Sequence, residues 1–358
     1  MKVLWLNHRD PKHPRAGGAE RTIYEVSKRL IEKGNTVTLY CPRWKGSLKE
    51  ETLDGIKIIR NGSSFSIHLI LPIFLIKNNF DVIINDLAHG VPWISTVFLS
   101  KHNIAFFRHL HARSLPGQVN MIIAKIITFL EKIYPYIYRN VKVITESDSS
   151  FHDLKELGFE EKNIIKIPPG VDLNLFHPGP KAQNVQLIYF GGLRKYKRPE
   201  YALNVYRDLK NDIPNLKLIV TGNGPQLDKM KEEVRKENYN IEFLGKVDYI
   251  ELANLIRESW VNLHFSVTEG WGYSILESSA SGTPTIALNV PGVLDTIKAG
   301  INGFLVSDIS DFKEKISYTI KNEEYFIKNS RKFAKNFTWD KTSQIWDQTL
   351  KMYEQKYS

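Results

Sequence analysis

Ser266-Val267-Thr268-Glu269-Gly270-Trp271-Gly272-Tyr273-Ser274-Ile275-Leu276-Glu277 is the stretch that decides how this chain reads. The apolar run before it, Trp260-Val261-Asn262-Leu263-His264-Phe265, reads as a buried strand. Ser278-Ser279-Ala280-Ser281-Gly282-Thr283-Pro284 follows, the small-residue end of a short helix and its stop. Glycines at this strand-to-helix turn let backbone approach a ligand, and a helix start leaves N–H groups without intrahelical partners, which suits phosphate. Glu269 and Glu277 bracket the turn, one before the anion site and one in the first helical turn. Two carboxylates so placed can grip both ends of a ligand with a diphosphate in its middle. A competing reading exists: Ser274 and Glu277 have the S-x-x-E spacing of a capping box, in which Glu277 only satisfies backbone donors.

Size and composition frame this stretch. A chain of 358 residues exceeds what one hydrophobic core usually supports, so two domains are expected. Hydrophobic content of 42% and charged content of 25% are those of an ordinary globular protein. The single cysteine, Cys41, excludes an intrachain disulfide and fits a reducing compartment. Met1–Asn7 turns polar too soon for a signal peptide, and the most apolar segment, Leu69–Ile76, is far short of a membrane span. A cytoplasmic protein is expected, with contact at the inner face of the cell membrane left open.

Residues 1–167 hold 24 Lys and Arg against 16 Asp and Glu, while the rest of the chain is nearly balanced. A basic first half suggests an anionic partner, such as a phosphorylated acceptor or an acidic membrane surface. No nucleic-acid-binding signature is present, so nucleic acid is the least favoured of the anionic partners.

Apolar runs alternate with helical patterns throughout. Lys2–Asn7, Thr36–Tyr40, Lys57–Arg60, Asp81–Asn85, Ile104–Arg108 and Lys142–Thr145 read as strands of a first domain. Ala19–Lys33 is an amphipathic helix stopped by Gly34, and Met121–Tyr138 reads as one long apolar helix. Ile122, Ile126, Phe129, Leu130 and Ile133 suit a core face there, the reading preferred over membrane docking. After a turn-rich joint near residues 168–180, a second series runs Gln186–Phe190, Leu216–Thr221, Ile241–Leu244, Val261–Phe265, Thr285–Ala287 and Gly303–Leu305. The expected architecture is α/β: two tandem Rossmann-like, doubly wound parallel-sheet domains facing across a cleft. The first spans 1–168 and the second 178–337, with a closing helix, 338–357, packing back on the first.

Other turns add candidate residues. Gly17-Gly18-Ala19-Glu20 sits between the first strand and helix, but neither a dinucleotide fingerprint nor a P-loop matches its spacing. Gly191-Gly192-Leu193-Arg194-Lys195-Tyr196-Lys197-Arg198 sets four cations beside two glycines, suited to a diphosphate leaving group. Cations at a helix start oppose its dipole, which argues against a merely solvated basic helix. Gly222-Asn223-Gly224-Pro225 alone reads as a turn. In Phe107-Arg108-His109-Leu110-His111-Ala112-Arg113, a histidine suits a sugar hydroxyl and the arginines an acceptor phosphate. Asn85-Asp86-Leu87-Ala88-His89-Gly90 reads as a solvated loop that could also face the ligand. No metal motif stands out, and neither metal nor other cofactor is expected.

Together these segments resemble the family 4 retaining glycosyltransferases of the GT-B fold. The resemblance rests on Gly17-Gly18-Ala19-Glu20-Arg21, Ile167-Pro168-Pro169-Gly170-Val171-Asp172, Phe190-Gly191-Gly192-Leu193, Tyr196-Lys197-Arg198-Pro199 and Thr221-Gly222-Asn223-Gly224-Pro225. It is completed by Ser266–Glu277 with Gly282-Thr283-Pro284, which looks like the family's E-x7-E donor signature. It implies a metal-independent, retaining hexosyltransferase using a UDP or GDP sugar on a glycan or lipid-linked acceptor, in cell-surface glycan or glycolipid synthesis. Glu269 would contact the sugar, Gly270, Trp271 and Gly272 would line it through their backbone, and N–H groups near Tyr273 and Ser274 would hold phosphate. Glu277 would take the ribose. Gly17, Gly18, Gly192, Gly222 and Asn223 would also border the donor. Lys197 would contact the diphosphate, Arg194 would stand in for the arginine many members carry at the Gly192 position, and His109, or nearly as well His111, would be the first-domain active-site histidine. Asp86, Arg108, His111 and Arg113 are the acceptor-side candidates. The alternatives are a non-catalytic sugar-nucleotide binder and a nucleotide-sugar epimerase.

Overall fold

The computed structural model describes residues 1–98, 103–115 and 119–357. The chain divides into two units. The first takes the residues up to Ala112, those from Val119 to Gly170, and the closing segment from Trp339; the second takes Val171–Thr338 with the short stretch from Arg113.

The first unit is built on an eight-stranded sheet of β1 (Lys2–Leu6), β2 (Thr36–Cys41), β3 (Glu50–Leu53), β4 (Ile56–Arg60), β5 (Val82–Asp86), β6 (Asn103–Phe107), β7 (Lys142–Thr145) and β8 (Ile164–Lys166). Its order is β3-β4-β2-β1-β5-β6-β7-β8, parallel except for the β3/β4 hairpin. Strand alternation supplies two cores: Val3 and Trp5 face one side with Ile23, Val26 and Leu30 of helix Gly18–Glu32, while Leu4 and Leu6 face the other with Ile67, Leu71 and Leu75 of helix Ser66–Lys77. The closing helix Trp339–Tyr357 belongs to the first of these cores, with the Trp346 ring 5.1 Å from Trp5.

The second unit carries β9 (Gln186–Phe190), β10 (Lys217–Thr221), β11 (Ile241–Gly245), β12 (Val261–His264), β13 (Thr285–Leu288) and β14 (Gly303–Val306), all parallel in the order β11-β10-β9-β12-β13-β14. Leu187 and Tyr189 enter one core and Ile188 and Phe190 the other, so this sheet too is covered on both faces. Both sheets place their first strand centrally and grow outward in both directions. The strand order therefore reverses between β1 and β5 in one unit and between β9 and β12 in the other. In open α/β sheets ligands bind beyond the carboxyl ends of the strands at such reversals.

Two expectations need correction. The apolar stretch after Asn120 is not one long helix, because helix Met121–Lys132 ends at Ile133 and a short turn of helix, Tyr134–Ile137, follows with Pro135 in its first turn. Nor is it a core helix: Ile122, Ile126 and Phe129 are exposed, and Glu131 is its one buried residue. Among the described residues no helix is long and apolar enough to cross a membrane.

Candidate active site

The deciding stretch leaves the carboxyl end of β12 and enters helix Tyr273–Ala280, anchored by buried Ile275, Leu276 and Ala280. Gly272 is the N-cap and adopts φ +86°, a left-handed conformation that favours glycine. Ser274 is thus the second helical residue and not the cap, so the capping-box reading of Ser274 and Glu277 fails. Glu277 sits within the helix, on its second turn.

Glu269 lies between β12 and that helix. Its Oε1 is paired with the Lys197 ammonium, accepts from Ser266 Oγ at 2.6 Å and lies 3.0 Å from His264 Nε2. Its backbone is fixed as well, Glu269 N donating to Pro291 O at 3.1 Å and Val267 N to Tyr196 O at 2.9 Å. Burial pushes the Glu269 carboxyl up, but Lys197 and His264 outweigh it and hold the group well below the usual carboxylate range. Burial likewise lowers Lys197, and the facing Glu269 carries it above the usual ammonium value. The result is an ionised pair at the strand-order reversal. His264, Ser266 and Gly292 were missed as site residues; a polar His-x-Ser at the end of an apolar strand was the available signal for the first two.

Lys197 comes from the loop after β9. Gly191 adopts φ +131°, and the cation run forms a tight turn, Lys195–Lys197, ahead of helix Tyr201–Leu209. The cations therefore precede the helix and do not occupy its start, which removes the dipole argument made for them. Arg194 folds over Gly192: a β-carbon there would stand 3.9 Å from its Cγ and Nε. The Gly222-Asn223-Gly224 turn after β10 is more than a turn. Leu193 N donates to Asn223 O at 3.0 Å and Gln226 N to Leu193 O at 3.1 Å. A β-carbon on Gly222 would meet Gly191 O at 1.8 Å, and one on Gly224 would meet Leu193 O at 2.2 Å. Gly222 and Asn223 thus brace the Gly191–Leu193 loop backbone to backbone. Trp271 is packed in the core against Phe337, its ring 5.3 Å away, so only its backbone borders the turn.

In the first unit several candidates are already engaged. Gly17 N donates to Glu20 Oε2 at 2.7 Å, and Gly18 opens the helix behind it. A phosphate on Gly17 would have to displace that carboxylate. Asp86 and Arg108 are both buried and paired: Arg108 Nη2 meets Asp86 Oδ2 at 2.8 Å, and Nη1 meets Glu146 Oε1 at 2.7 Å. They tie the ends of β5 and β6 to the start of helix Asp148–Leu157. His111 is also buried, its Nδ1 3.2 Å from Glu131 Oε1 and its Nε2 3.0 Å from Ala88 O. His109, its ring 4.9 Å from that of His111, is half-buried, and Arg113 is exposed and grouped with the second unit.

Sequence reasoning also overlooked an imidazole cluster at the first unit's strand-order reversal. His8 follows β1, His89 follows β5, and His68 comes from helix Ser66–Lys77. His8 Nε2 is 3.1 Å from His68 Nε2, and its ring lies 5.1 Å from that of His89. The expected solvated loop at His89 is instead part of this packed group. Burial, then neighbouring His68 and Arg9, lower His8 to about 3; burial and His8 lower His89 well below the ordinary histidine value. Among the described residues no three His, Cys, Asp or Glu side chains are grouped to hold a metal ion.

Comparison with known proteins finds matches for both halves of the chain. Residues 16–175 match the family described as Glycosyltransferase Family 4, and residues 173–337 match Glycosyl transferases group 1. A curated relative, the phosphatidylinositol N-acetylglucosaminyltransferase gpi3 subunit of Schizosaccharomyces pombe, is 22% identical over 86% of this chain and 70% of its own length. Other matches span as little as 36% of the relative. Among solved structures, sucrose-phosphate synthase from Thermosynechococcus elongatus superposes with TM-score 0.81 at 19% identity, covering 99% of each chain. Anabaena Alr3699/HepE in complex with UDP and glucose gives 0.74 at 18% identity, over 98% of this chain and 100% of that one. The chain belongs to the family 4 glycosyltransferases and has their GT-B fold.

Proposed function

We propose that this glycosyltransferase moves a hexose-type sugar, with retention, from a UDP or GDP sugar to a hydroxyl of a glycan or lipid-linked acceptor. The observation that supports it most is the ionised Lys197–Glu269 pair between the β9 and β12 loops, beside the start of helix Tyr273–Ala280. An anionic donor finds there a cation, glycine-lined backbone and helix N–H groups together. Glu269, kept as a carboxylate, accepts hydrogen bonds from sugar hydroxyls. The diphosphate takes Lys197 and Arg194 as partners, with the N–H groups at Tyr273 and Ser274, and Glu277 accepts from the ribose. His109, in the first unit, is proposed as the active-site histidine that the family resemblance implies.

The chemistry asked of these groups is electrostatic. The bond between the anomeric carbon and the donor phosphate oxygen breaks as the acceptor oxygen bonds to that carbon on the same face. The acceptor proton passes to the departing phosphate. Lys197 and Arg194 stabilise the charge that develops on the leaving diphosphate, the kind of preorganised contribution that dominates such steps. No metal is needed for this division of roles. A panel of nucleotide sugars in a thermal-shift assay tests the donor reading. The correct donor at 100 times its dissociation constant adds about 2.7 kcal/mol of stability, and no shift with any UDP or GDP sugar defeats the reading. Measured transfer and donor hydrolysis then separate an enzyme from a binder, and products formed without acceptor would expose an epimerase.

A further inference from the structure

We propose that the first unit docks on an anionic lipid bilayer through the outer faces of helices Ser66–Lys77 and Met121–Lys132. Each helix is apolar on the side that should face water. Leu69, Ile73 and Ile76 are 68%, 56% and 83% exposed, and Ile122, Ile126 and Phe129 are 68%, 52% and 64% exposed. Both triplets follow the i, i+4, i+7 spacing of a single helix stripe. On helix Ser66–Lys77 the inward stripe, Ile67, Leu71 and Leu75, is buried, so the sheet has no further use for the outer one. Soluble proteins rarely leave contiguous apolar stripes of this kind in water without a partner.

The two helices share a side of the sheet. Ile67, Leu71 and Leu75 lie in the same core as Tyr134 and Tyr138, which directly follow the second helix. The His68 ring is 4.6 Å from that of Trp93, whose carbonyl accepts from Tyr138 Oη at 2.7 Å. The second helix is also held in place: Glu131 accepts from Ala112 N at 3.1 Å, and Ile127 packs over Gly90, where a β-carbon would come within 2.6 Å of it.

Charge identifies the occupant. Between Asp54 and Glu131 the chain has two carboxylates, Asp81 and Asp86. Asp86 is buried, and Asp81 accepts from Lys2 N at 2.6 Å at the amino end of the sheet. Glu131 itself is buried. Lys77, Lys125, Lys132 and Arg139 are exposed on or just after the two helices. Tyr136 at 80% exposure adds an aromatic of the kind enriched at membrane interfaces. Aliphatic stripes flanked by cations and empty of exposed carboxylates complement an acidic lipid surface. The inference stands apart from the donor reading, because binding is read without nucleotide.

The test is co-sedimentation of the full chain with vesicles of phosphatidylcholine alone or mixed with phosphatidylglycerol. Binding to the acidic vesicles should exceed binding to the neutral ones by at least about tenfold and weaken with salt. The double variants Ile73→Glu with Ile76→Glu, and Ile126→Glu with Phe129→Glu, should each lower it by at least about tenfold with an unchanged unfolding midpoint. Lys125→Ala with Lys132→Ala, which alters only exposed side chains, should lower it in the same direction. Absence of acidic-vesicle binding by the unaltered protein, or full binding by all three variants, would overturn the proposal. So would a dimer in sedimentation velocity that the same variants dissociate without any vesicle binding, since the face would then belong to a second copy.

Discussion

Gly292 lies so close to Glu269 that a β-carbon on it would stand 2.0 Å from the Glu269 carbonyl oxygen. Its φ of +82° adds a second demand for glycine. One residue thus fixes the backbone height of the carboxylate that the donor is proposed to meet. Gly292→Ala should cost at least about 2 kcal/mol of stability and lower transfer beyond the loss of folded protein. Urea unfolding and donor turnover on the folded fraction would measure both; a neutral substitution contradicts the stated role.

Lys197→Ala leaves Glu269 largely buried without its ammonium partner. Breaking such a pair costs about 3 kcal/mol, whereas losing the cation at the diphosphate should cut turnover at least about a hundredfold. A double-mutant cycle with Glu269→Gln should be strongly non-additive in stability. The pair also sets a pH expectation. Glu269 is depressed on folding, so its stabilisation is full above the ordinary carboxylate value and is lost only as pH falls through the lower folded one. Turnover should therefore show no acid limb from Glu269 between neutrality and mildly acidic pH.

The histidine cluster of the first unit has the more visible acid response. His8 is neutral when folded, with its value lowered to about 3, and charges in the unfolded chain near the ordinary histidine value. The unfolded state then binds more protons, so stability is full above that ordinary value and declines as pH falls towards about 3. Each such histidine contributes up to about 1.4 kcal/mol per pH unit in that window. Denaturant midpoints should drop from neutral to mildly acidic pH, and His8→Gln should flatten the drop; an unchanged slope would remove His8 from the account.

Arg194 folds over Gly192 and precedes the Lys197 turn. Arg194→Ala should raise the donor KM about tenfold or more while the unfolding midpoint holds. Donor affinity and turnover like those of the unaltered protein would end the idea that it replaces a missing arginine at Gly192.

Much of this was legible because the strands are buried on both faces. Gln186–Phe190 and Lys142–Thr145 read as strands at their true limits, since continuous apolar runs leave little ambiguity. The hairpin strand Glu50–Leu53 was missed because Glu-Glu-Thr-Leu has no apolar run. Its signal was the Asp54-Gly55 turn, where both residues adopt positive φ between Leu53 and Ile56. Periodicity marked the stripe of Ile122, Ile126 and Phe129 but could not say which way it faced. The brace of Gly222 on Gly191 was invisible for a similar reason: a close approach between backbones distant in sequence leaves only a glycine behind. The pairing of Asp86 and Arg108 with each other and with Glu146 was hidden in the sequence because it exists only in three dimensions.

The most direct test of the central claim is donor consumption, by hydrolysis or transfer, across UDP and GDP sugars for the unaltered protein and Glu269→Ala. One donor should be consumed with retention of anomeric configuration, and Glu269→Ala should reduce its turnover at least about a hundredfold while remaining folded. Near-normal turnover in Glu269→Ala, or no consumption of any nucleotide sugar by the unaltered protein, would contradict the account.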